Sequence, residues 1–140
     1  MSTLEIPETF PYAHQLGLRV IDEENNGFRF ELPSDPRFIG NPVISAFHGG
    51  IICGAMSSAM MFTVARMNDL ETHPELVNQT TSFLSSASAE KNIFFQTELT
   101  KTGKRILGAY CRAFQDSDNQ LVAKSSALFK LDLTETADEV

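Results

Sequence analysis

Cysteine is scarce in this chain, positive charge is in deficit, and no apolar run is unbroken for the length of a membrane. Each shortage removes a class of protein. The two cysteines in 140 residues, Cys53 and Cys111, sit in apolar surroundings without metal-site spacing, so buried thiols are expected rather than a disulfide. His14 and His73 join no constellation, and no metal is expected. Lys and Arg number 11 against 18 Asp and Glu, a net charge of -7. That balance argues against a surface devoted to phosphate backbones, so nucleic acid is not an expected partner. The longest apolar stretch, Ile51 to Met67, is diluted by Gly54, Ser57, Ser58 and Thr63, and falls short of the roughly 18 unbroken apolar residues of a span. No membrane partner is expected. The opening Met-Ser-Thr-Leu-Glu has no signal or lipidation pattern, which predicts a cytoplasmic location. Repeats are absent too, and 140 residues with 42% hydrophobic content suit one domain with a single core.

What is present centres on residues 39–69. Between Ile51 and Met67 the only charge is Arg66, and apolar residues point in every helical direction, so the stretch predicts a buried helix. Gly49, Gly50, Gly54, Ala55, Ser58 and Ala59 include weak helix formers, a sign that something approaches closely there. His48-Gly49-Gly50 marks the start. Unpaired N–H groups and the positive dipole end at that tip suit a carbonyl oxygen or an anion.

Around this helix the other elements follow in order. Residues 1–6 predict a flexible tail, and residues 7–16 a short helix ended by Gly17. Leu18–Ile21 and Phe28–Leu32 flank Asn25-Asn26-Gly27, whose residues accept positive φ, so a hairpin is expected. Residues 33–46, with Pro33, Pro36, Gly40 and Pro42, predict an irregular loop. Beyond the break at Leu70–Pro74 come strands over 76–84, 93–100, 105–114 and 121–133. The last alternates with period 2 throughout. Residues 134–140 predict an acidic flexible tail. The domain therefore spans 7–133 and falls in the α+β class, one helix too apolar for water enclosed by a curved antiparallel sheet.

With Asn41 in a Gly-Asn-Pro loop, Phe47-His48-Gly49-Gly50 opening the helix, Ser82-Phe83-Leu84 in the next strand and Thr102-Gly103-Lys104-Arg105 before the final hairpin, the chain resembles the hotdog fold, in particular the PaaI-like acyl-CoA thioesterases. The resemblance covers about residues 15–132. It implies dimers joined through sheet edges, commonly paired as tetramers, with sites at the dimer interface. It also implies that a glycine N–H at the helix start polarises the thioester carbonyl, and that a carboxylate nine residues after the motif His acts as base or nucleophile. Here that position is Ser57, and no Asp or Glu occurs between Asp35 and Asp69. Ser85-Ser86 is a second departure, where the family often has Arg-Pro.

Each candidate carries a plain reading beside the functional one. His48 is either a histidine bonding the preceding loop or a residue shaping the site; Gly49 and Gly50 pack the helix start or bind a carbonyl. Ser57 is a small polar residue facing the pocket or a nucleophile, which needs an activating base. Asn41 makes a turn or sets its amide over the pocket. Thr81, Ser82 and Ser85 satisfy a strand or contact the CoA part, and Lys104 and Arg105 form a solvated turn or hold CoA phosphates. Met56, Met60, Met61 and Met67 fill the core or line an acyl tunnel. The expected function is hydrolysis of a small or medium acyl thioester, with CoA as part of the substrate and no separate cofactor. Water is then activated by His48, Asp35 or a group from another strand or subunit. A non-catalytic acyl-CoA binder is the alternative, and a hydratase a weaker third. The expected partners are an acyl thioester and further copies of the chain, as dimer or tetramer.

Overall fold

The computed structural model describes residues 4–24, 26–70 and 72–131. In chain order the elements are β1 (Leu4–Glu5), α1 (Pro11–Leu16), β2 (Arg19–Glu24), β3 (Gly27–Leu32), β4 (Ile39–Asn41), β5 (Ala46–Phe47), α2 (Gly49–Met67), β6 (Glu75–Phe83), β7 (Ile93–Thr102), β8 (Ile106–Phe114) and β9 (Leu121–Lys130). Seven strands make one antiparallel sheet in the order β1-β2-β3-β7-β8-β9-β6, and β4 with β5 forms a separate ribbon. The sheet wraps α2, which packs against β3, β6, β7, β8 and β9. Residue pattern explains why. In β9 the residues Ser125, Ala127 and Phe129 are buried while Lys124, Ser126, Leu128 and Lys130 are exposed, so alternate side chains face the helix.

The core lies between that concave face and α2. Phe30, Phe95 and Phe129 have no exposed surface, and Ala55, Met56, Ala59, Met60 and Val64 of the helix have none either. A fully buried Phe or Met contributes about 1.5–3 kcal/mol, so the helix is held by its packing and not by intrinsic propensity. At its end, Asp69 adopts φ 50°. This lets the Leu70 N–H reach back to the Ala65 carbonyl at 2.9 Å, closing the last turn.

Several expectations shift at their edges. Leu4 and Glu5 pair with Val20 and Arg19, and Ile6 is buried, so from residue 4 the start is part of the domain and not a loose tail. The first helix begins at Pro11, because residues 7–10 form a turn closed by the Phe10 N–H on the Pro7 carbonyl at 2.9 Å. The loop over 33–46 contains a 3-10 turn, Pro36–Phe38, and the β4–β5 ribbon. Gly27 serves close approach rather than positive φ: a Cβ there would overlap the Thr97 carbonyl oxygen. The close approach expected at Gly54 is made by a side chain, since a Cβ would stand 2.6 Å from the Tyr12 hydroxyl of α1. The acidic tail over 134–140, and residues 132–133 of the last strand, lie outside the described residues.

Candidate functional site

His48 ends the extended run with φ -67° and ψ 123° and caps α2. Its Nδ1 accepts the Gly50 N–H at 2.9 Å, a bond that satisfies one of the orphan donors at the tip. An accepting Nδ1 leaves the ring hydrogen on Nε2, a donor directed away from the cap. The His48 N–H donates to the Phe38 carbonyl at 2.7 Å, so the ribbon fixes the residue from behind. Two consequences follow for the expected roles. The Gly50 N–H is occupied, so of the two glycines only Gly49 offers a free donor among the described residues. His48 acts here as a cap and a donor, with no lone pair left for a base.

Asn41 accepts the Val43 N–H on Oδ1 at 3.1 Å, an Asx turn at the ribbon tip. Val43 and Ile44, 90% and 59% exposed, project from that tip. At the helix start stands Phe83 of β6, 55% exposed, within 3.5 Å of where a Gly49 Cβ would be. An exposed aromatic ring thus flanks one unspent backbone donor among the described residues at the positive end of a 19-residue helix, where the dipole favours negative charge.

From Phe83 the edge strand β6 runs antiparallel to α2. Thr81 comes next, its Oγ1 3.5 Å from Cys53 Sγ and 2.9 Å from Ser125 Oγ. Gln79 follows, its Nε2 donating to the Cys53 carbonyl at 3.2 Å. Ser57 lies one turn beyond Cys53 and donates its hydroxyl hydrogen to the Gly54 carbonyl at 2.9 Å. From Gly49 to Ser57 the helix rises about 12 Å at 1.5 Å per residue. No group of one chain's tip therefore meets Ser57 directly.

The remaining candidates are placed apart. Ser82 alternates with Thr81 and turns to the outer face, level with Lys124. Ser85 is spent on β9: its Oγ donates to the Leu121 carbonyl at 3.3 Å and its N–H to that of Val122 at 3.2 Å. Lys104 and Arg105 are exposed in the β7–β8 turn, where Arg105 accepts the Leu131 N–H, at the Glu75 end of β6. Gly49 is at the Phe83 end, about 26 Å away at roughly 3.3 Å per residue. A single chain does not bring these cations to the helix tip. Asp35 is also committed elsewhere. It caps the 3-10 turn by accepting the Arg37 N–H at 2.8 Å and pairs with the Arg37 guanidinium at 3.0 Å. Those contacts, the backbone one foremost, hold its carboxyl below the usual value, the opposite of what a neutral-pH base needs. Of the two thiols, Cys111 is fully buried and burial pushes it up, whereas Cys53 is only half-buried, because the helix side facing β6 is not sealed.

Residues 40–130 match the family described as the acyl-CoA thioesterase N-terminal domain. No curated protein matches the chain. Among solved structures, a protein from Chromobacterium violaceum is 31% identical, with a TM-score of 0.70 over 89% of this chain and 85% of that one. The PaaI protein of E. coli, from the phenylacetic acid degradation operon, superposes with a TM-score of 0.74 at 15% identity, covering 89% of this chain and 90% of its own. Zebrafish thioesterase superfamily member 2 gives 0.74 at 12% identity, over 87% and 85%. The wrapped helix is the hotdog fold.

Proposed function

The chain belongs to the acyl-CoA thioesterase family matched by residues 40–130, and from that premise we propose that it hydrolyses a small or medium acyl thioester. CoA enters as part of the substrate, with no separate cofactor, in the cytoplasm. The observation that carries this reading is the free Gly49 N–H at the tip of α2, flanked by the exposed ring of Phe83. There the thioester carbonyl accepts from Gly49, with His48 Nε2–H as a second donor. Negative charge grows on that oxygen in the tetrahedral transition state, so fixed donors stabilise it more than the ground state. Because Lys104 and Arg105 stand a sheet length away in the same chain, CoA phosphates are met by those residues of a second copy. The working form is a dimer or tetramer.

Ser57 occupies the position where the resemblance implies a carboxylate, so water is the nucleophile and the chain supplies no ionised base on α2. A second reading, acyl-CoA binding without turnover, is favoured by the same gap: no Asp or Glu stands between Asp35 and Asp69. Thiol release from short, medium and aromatic acyl-CoAs separates the two. Turnover above buffer hydrolysis is the expected result. Calorimetric binding without thiol release assigns the second reading, and neither signal ends both. Ser57→Asp is expected to raise thiol release by supplying a carboxylate; unchanged turnover with binding intact counts against that role for position 57.

A further inference from the structure

Gln79 belongs to no sequence motif, yet its amide is held on three acceptors. Nε2 lies 3.2 Å from the Cys53 carbonyl, 3.3 Å from Thr81 Oγ1 and 3.0 Å from Ser125 Oγ. A carbonyl oxygen only accepts, so the nitrogen must face Cys53 and the orientation of the amide is determined. Oε1 therefore points the other way. It has no partner among the described residues, and it is not buried, since the one buried and unpartnered side-chain polar atom among them is Arg19 Nε. An anchored amide thus presents a bare acceptor to solvent.

Ser57 stands beside it. The Cys53 carbonyl that receives Gln79 is also the one toward which the helix directs the Ser57 N–H, four residues on. With its own hydrogen on the Gly54 carbonyl, Ser57 Oγ keeps its lone pairs for a donor. Two neutral acceptors at one level of the helix suit a molecule with two hydrogens. We infer that Gln79 Oε1, together with Ser57 Oγ, is a positioning acceptor that holds the hydrolytic water. This rests on the thioesterase reading above.

The rise of about 12 Å between Gly49 and Ser57 exceeds the reach of one water, so the pair serves a carbonyl held at the Gly49 of a second copy. With both hydrogens drawn toward these oxygens, the water presents a lone pair to the thioester carbon. Its oxygen forms the new C–O bond, the C–S bond breaks, the leaving thiolate takes one water proton, and the acid releases the other to solvent. Gln79 and Ser57 orient the water and take no proton.

Gln79→Met keeps length and removes the acceptor. Expected is a loss of about tenfold or more in kcat with KM changed less than about twofold, because the amide touches the water and not the acyl-CoA. Gln79→Glu restores an outward oxygen, and should recover part of the lost turnover while adding an ionisation to the pH–rate profile. Mixing Gln79→Met with Gly49→Pro should regain activity that neither has alone, since one site of each mixed dimer is intact. Unchanged kcat in folded Gln79→Met, a loss confined to KM, or no recovery in Gln79→Glu overturns the role of Gln79 while wild-type turnover keeps the thioesterase reading. A wild type without turnover overturns both.

Discussion

The two halves of α2 are both poor in charge, with Arg66 their one ionised residue, and differ in their surroundings. In the second half, Phe62 meets Phe10, Phe28 and Phe30 edge-on at centroid distances of 5.4, 5.4 and 5.8 Å. Thr63 is buried as well, its hydroxyl 2.6 Å from Thr97 of β7, so the turn Phe62–Ala65 is buried under central strands. In the first half, Gly49, Cys53, Gly54 and Ser57 are only half-buried. Gly49 and Cys53 neighbour Phe83, Thr81 and Gln79 of the edge strand, whereas Gly54 meets Tyr12 of α1. A helix that passes from the middle of a sheet to its rim is thereby anchored at one end and left chemically available at the other. Apolar character alone does not distinguish the two, since both halves carry it.

Substitutions can break this contrast, beginning where the effect is greatest. Phe62→Ala empties the aromatic cluster, and chemical denaturation should show a loss of about 3–5 kcal/mol. A loss well under that would mean the Phe62 turn is less tightly packed than its contacts indicate. Gly49→Pro removes the one free N–H and little else. Proline fits the first helical position, and extended His48 is already in the conformation that a following proline requires. Thiol release should fall by about 10²–10³-fold with the unfolding midpoint nearly unchanged; retained turnover would place the carbonyl elsewhere. Smallest is Asp35→Asn, which should leave turnover near that of wild type. The Asp35 carboxyl is held below its ordinary 3.8, so its cap is complete above that value. As pH falls through the lowered pKa the cap is lost, far from the neutral range in which thioester cleavage would be assayed.

Much of the architecture was legible in the chain. The all-round apolarity of Ile51–Met67 leaves a helix no option but enclosure, and the alternation after Leu121 leaves β9 only one face to bury. The ribbon over 39–47 was not legible, because short strands in a Pro-rich segment owe their pairing to packing against His48 and Phe38 rather than to local preference. At the site, the tip at His48-Gly49 stood out by its glycines. That Gly50 is consumed by the His48 ring depends on a rotamer, which no residue pattern encodes. Gln79 belongs to no motif and reads in the chain as one polar residue of a strand. The signal was there in a weaker form: Gln79 and Thr81 share the helix-facing side of β6, where a strand that merely covered an apolar helix would carry Val or Leu.

The exposed pair Lys104 and Arg105, in the β7–β8 turn, is level with the Glu75 end of β6, whose Phe83 end touches the tip of α2. On the proposed reading, a guest gripping both kinds of group straddles two copies, since in one chain they stand a sheet length apart. Binding the guest and holding the copies together then become one equilibrium. Diluting the protein should loosen its hold on the guest, and adding the guest should draw separated copies back into company, so occupancy would report abundance as faithfully as affinity.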